Sequence, residues 1–70
     1  MMKIRDVIKL VENDGWYYVH SKGSHRKYRH QEKKGAVTIA GKPGSDLHPE
    51  ILNSILKQAQ IVIPKNNQNK

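Results

Sequence analysis

The stretch "NDGWYYVHSKGSHRKYRHQEKKGAVTIA", residues 13–40, decides the fold. Its opening reads as the end of a helix: Gly15 can take the left-handed position just past the last turn, and Trp16 can then pack back on Val11. "WYYVHS" is aromatic and β-branched and predicts a strand. "HRKYRH" predicts a second, more polar strand and "AVTIA" a third, with turn residues between them in "SKGS" and "EKKG". A two-residue loop at Lys22-Gly23 would pair Ser21 with Ser24, His20 with His25, Val19 with Arg26, Tyr18 with Lys27 and Tyr17 with Tyr28. Directly opposed residues share a face of the sheet. That register predicts a core face of Tyr17, Val19 and Tyr28, and an outer face of Tyr18, His20, His25, Lys27 and Arg29.

Upstream, Ile4, Val7, Ile8 and Val11 fall at i, i+3, i+4 and i+7, with Leu10 widening the stripe, which predicts an amphipathic helix. Downstream, the polar loop "GKPGSD" leads to "LHPEILNSILKQAQI". Here Pro49 suits the first helical position, Leu52, Ile55, Leu56 and Ala59 form a second stripe, and Leu47 can staple to Leu52. His48 falls in the cap region of that helix. The order α-β-β-β-α predicts an α+β domain, with a three-stranded antiparallel sheet and both helices on one face. Residues 1–61 form the expected domain. Residues 62–70, ending in "PKNNQNK", lack apolar anchors and are expected to be disordered.

Seventy residues support one small core, and with no cysteine neither a disulfide nor a thiolate metal site can staple it. A partner or a second copy forming a homodimer would add support. No apolar run approaches the length of a membrane span, and the charged N-terminus lacks a signal-peptide pattern, so a cytoplasmic protein is expected. The net charge is +7, unevenly spread. Residues 20–34 hold Lys22, Arg26, Lys27, Arg29, Lys33 and Lys34 against Glu32 alone, a local +5, whereas residues 1–15 and 35–63 each balance to zero. Such a concentration of one sign collects polyanions or an acidic protein.

On the outer face a ligand would meet cations, imidazoles and an aromatic ring. Lys27 and Arg29 can pair with phosphates and Tyr18 can stack on an unpaired base, a combination that suits RNA without excluding DNA. His25 is the sharpest candidate. Cleaving RNA without a metal requires deprotonating a 2′-hydroxyl and protonating the departing 5′-oxygen, and an imidazole can do either near neutral pH. An exposed strand histidine of no consequence is the competing reading. The five-residue spacing of His20, His25 and His30 comes with no matching acidic ligand, so no metal is expected. Ser24 beside His25 is no nucleophile–base pair, because neighbouring strand residues point to opposite faces.

"DGWYYVHSKGSHRKY", residues 14–28, and "VTIAGKPGSDLHPEILNSILKQAQI", residues 37–61, together resemble the HicA toxin family of small mRNA interferases. The resemblance spans roughly residues 3–61. It implies a double-stranded-RNA-binding-domain-like αβββα fold and metal-independent, cofactor-free cleavage of mRNA centred on His25. His20 is then the candidate for the second proton, and Lys22, Gly23, Ser24, Lys27, Arg29 and Tyr18 are the candidates for holding RNA. It also implies neutralisation by a HicB-type antitoxin protein. The chain departs from the pattern at Arg26, where a second His is common, at Gln31 and Ala40-Gly41, where Pro is common, and at Gln60, where a helix-ending Gly is common. A non-catalytic RNA-binding module is the alternative.

Overall fold

The computed structural model describes residues 2–62. Helix α1 spans Ile4–Asn13, strands β1, β2 and β3 span Tyr17–Lys22, His25–Arg29 and Val37–Ala40, and helix α2 spans Pro49–Gln58. The strands form an antiparallel meander in the order β1-β2-β3. This is the predicted αβββα arrangement. Of the tail expected from residue 62, residues 63–70 lie outside the described residues.

Each helix forms for the reason its stripe suggested. α1 buries Ile4, Val7 and Val11, and Asp6 accepts a hydrogen bond from the Lys3 backbone N–H at 2.8 Å, tying down the first turn. α2 begins at Pro49, whose missing N–H costs nothing there, and buries Ile55, with its C-cap Ala59 also buried and Leu52 packed against the core. Tyr28, Val37 and Ile39 supply the sheet's share of that core, all from one face. Both helices therefore cover one side of the sheet and leave the other open. The segment before α1 pairs with the loop before α2, through Ile4 N–H to Ser45 C=O at 2.9 Å and Leu47 N–H to Met2 C=O at 2.8 Å.

Both helices end in the same backbone motif. After α1, Gly15 (φ +104°) donates to Glu12 C=O and Trp16 to Val11 C=O. After α2, Gln60 (φ +55°) donates to Lys57 C=O and Ile61 to Leu56 C=O. These are Schellman closures. The second uses a glutamine where the left-handed conformation favours glycine, and its side-chain amide donates to Lys34 C=O at 2.9 Å in partial compensation. Trp16 then links the two ends: its indole N–H reaches Ala59 C=O at 3.2 Å.

The predicted hairpin register is corrected. The loop is Gly23-Ser24, and the pairs are Lys22 with His25, Ser21 with Arg26 and His20 with Lys27. Gly23 stands first in the turn with φ +61°, which a type II′ hairpin turn requires there; a loop at Lys22-Gly23 would have put lysine in that place. A second departure follows at Val19, a β-bulge after which Tyr18 pairs with Tyr28 and Tyr17 with Arg29. The extra residue exchanges the faces of the two tyrosines. Tyr18, expected outside, lies on the helix-covered side, its ring edge-on to Tyr28 at 6.0 Å and its hydroxyl donating to Ser21 Oγ at 2.9 Å. Tyr17, expected in the core, lies on the open side and is 51% exposed, and Val19 is 44% exposed.

Candidate nucleic-acid interface

β2 is the central strand, so its alternation sets what each face carries. His25, Lys27 and Arg29 point away from the helices, and Arg26 and Tyr28 point toward them. Directly across on β1, Lys22 stands opposite His25, His20 opposite Lys27 and Tyr17 opposite Arg29. On β3, Ala40 and Thr38 flank His25 and Lys27 with small side chains that leave the surface low. The open face thus gathers three cations, two imidazoles and one phenol on a rigid sheet.

His25 is exposed at the first residue of β2, immediately after the turn. That turn is anchored to the far strand: Ser24 C=O accepts from Gly41 N–H at 3.2 Å. Arg26, behind the sheet, donates from Nη1 to Gly41 C=O at 2.8 Å. These bonds lock the end of the sheet from which the imidazole projects. His20 is the diagonal neighbour of His25. Such a diagonal spans roughly 7–8 Å, room for one phosphodiester between two hydrogen-bond reaches of about 3 Å.

The third histidine lies elsewhere. His30 sits past β2 on the helix side, edge-on to Trp16 at 5.2 Å. Its Nε2–H donates to Asp14 C=O at 2.7 Å, and its Nδ1 accepts from the backbone N–H groups of Glu32 at 3.0 Å and Lys33 at 3.1 Å. Both ring nitrogens are engaged by the backbone, so His30 organises the β2–β3 connection and shares no site with His20 and His25.

Two of the segment's six cations also serve the fold. Besides Arg26, Lys33 donates from Nζ to Asp14 Oδ2 at 2.6 Å and to the C-terminal carbonyls of α2 at Ala59 and Gln60, at 3.3 and 3.0 Å. That hydrogen bond holds the Asp14 carboxyl below the usual carboxylate range. Burial pushes the Tyr28 phenol up, as suits a neutral core residue. The basic character available on the open face rests on Lys22, Lys27 and Arg29. Sequence reasoning missed Tyr17, because strict alternation along "YYVHSK" places it on the side of Tyr28 and only the Val19 bulge turns it to the open face.

This is a small α+β domain of the double-stranded-RNA-binding-domain-like type, with its helices on one sheet face and Lys22, Lys27 and Arg29 on the other. Residues 4–61 match the family model described as the HicA toxin of bacterial toxin–antitoxin systems. The chain belongs to the HicA toxin family and is the toxin side of such a system. No curated protein matches it. No described helix is long and apolar enough to cross a membrane.

Proposed function

We propose that the protein is an endoribonuclease that cuts mRNA without a metal and so inhibits translation in the cytoplasm, and that a HicB-type antitoxin protein neutralises it. The observation that carries this reading is the placement of His25: exposed, fixed by the turn, and opposite Lys22 on a cationic sheet face. In the proposed reaction one imidazole removes the proton of a 2′-hydroxyl as that oxygen attacks the adjacent phosphorus. The 5′-oxygen bond breaks and the leaving oxygen takes a proton, giving a cyclic phosphate and a free 5′-hydroxyl. His25 and its diagonal neighbour His20 supply the two proton transfers, and Lys22, Lys27 and Arg29 hold the phosphates. The backbone of Gly23-Ser24 lets RNA approach close to the imidazole, since a side chain at Gly23 would occupy otherwise open space above the turn.

The test is cleavage of a labelled RNA in EDTA. Cutting by the parent protein should persist in chelator and fall by ~10²–10⁴ in His25→Ala, the usual contribution of general acid–base catalysis, with RNA binding retained. A mutant that cuts at the parental rate refutes the catalytic assignment. Binding without cutting by either protein would instead identify an RNA-binding module.

A further inference from the structure

We infer that Tyr17 is a stacking platform for an unpaired base and that the open sheet face takes RNA as a single strand. This rests on the RNA reading above and adds a site and a substrate form to it. The Val19 bulge turns Tyr17 to the open face, beside Arg29 and two rungs from the His20–Lys27 pair. Tyr18 is equally exposed at 52%, but its ring leans on Tyr28 and its hydroxyl is held by Ser21 on the opposite side of the sheet. The bulge therefore selects which of two adjacent tyrosines the ligand meets.

The geometry defines a track. Arg29, opposite Tyr17, lies four residues along β2 from His25, or about 13 Å at 3.3 Å per residue, and Lys27 stands midway between them. A base seated on Tyr17 would leave its phosphates running over Arg29 and Lys27 toward the imidazole. Stacking needs a base face free of its neighbours, which a single strand offers and a duplex does not. On the β3 side only the small side chains of Thr38 and Ala40 flank this track.

The test uses a 12-nucleotide single-stranded 2′-O-methyl RNA, which cannot be cut, carrying one 2-aminopurine, and the same strand annealed to its complement. The parent should bind the single strand more tightly than the duplex and quench its fluorescence. Tyr17→Ala and Tyr17→Leu, the latter keeping apolar bulk in case Ala disturbs β1, should each weaken binding by about 5- to 100-fold and lose the quenching. Tyr17→Phe should retain both, and Tyr18→Ala should bind as the parent does. Parental affinity in Tyr17→Leu, or tighter binding of the duplex, overturns the stacking site while the RNA reading stands. No binding of either RNA by the parent overturns both.

Discussion

Replacing Gly15 by Ala places a methyl group where the fold has least room for one. The backbone at Gly15 has φ +104°, a conformation that costs a non-glycine residue about 1–2 kcal/mol. An ideal Cβ there would also lie 2.6 Å from His30 Nε2, closer than real Cβ atoms come to anything. The imidazole cannot slide away freely, because three hydrogen bonds hold its two nitrogens. Disrupting the 2.7 Å bond to Asp14 C=O costs about 1 kcal/mol, and straining the other two adds a similar amount. The expected destabilisation is therefore about 3–4 kcal/mol. A domain of this size has roughly 3–9 kcal/mol in total, so the loss should be conspicuous in urea denaturation followed by circular dichroism. The two contributions separate in a double-mutant cycle. In a His30→Ala background the overlap vanishes and Gly15→Ala should cost only the backbone share, leaving a coupling of about 2 kcal/mol. Effects that add to within about 0.5 kcal/mol would show that the imidazole is not what excludes the methyl group.

At the other Schellman closure the substitution runs in the opposite direction: Gln60→Gly should raise stability by roughly 0.5–1 kcal/mol, because relief of the left-handed glutamine outweighs the exposed bond to Lys34 C=O, and a lower melting temperature would contradict this. Asp14, with its carboxyl held below the ordinary 3.8 by Lys33, contributes stability above that pH that is lost as pH falls through the lower native value. Asp14→Asn should accordingly flatten the acid limb of the stability profile below about pH 4, by under about 1 kcal/mol for this partly exposed pair; an unchanged limb would remove the pair from the argument. For RNA binding, Arg29→Gln should reduce the slope of log affinity against log salt by about 0.7, the release expected for one phosphate of a single strand. Lys33→Gln should leave that slope alone, since its ammonium is held by Asp14 and the end of α2. Equal slopes for the two variants would mean that the open face is not where phosphates bind.

The contrast between Arg29 and Lys33 shows what in this chain is legible from sequence. Helical stripes and the Gly15–Trp16 closure depend on neighbours within a few residues, and α1, α2 and the first Schellman motif follow from them directly. The hairpin depended on a finer choice, whether glycine stands first or second in a two-residue loop, and residue preference alone allows both. The bulge had no local signature, since Tyr17, Tyr18 and Val19 all suit a strand and only the burial of Tyr28 across the sheet decides which of them faces it. Net charge misleads in the same way. Arg26 and Lys33 read as part of a basic run, yet their partners lie 15 and 19–27 residues away in the chain, at Gly41, Asp14, Ala59 and Gln60. Folding ties those two to partners on the helix side and leaves Lys22, Lys27 and Arg29 on the open face with His20 and His25. A count of cations can therefore point to a polyanion, but only strand alternation determines which of them share the open face with His25.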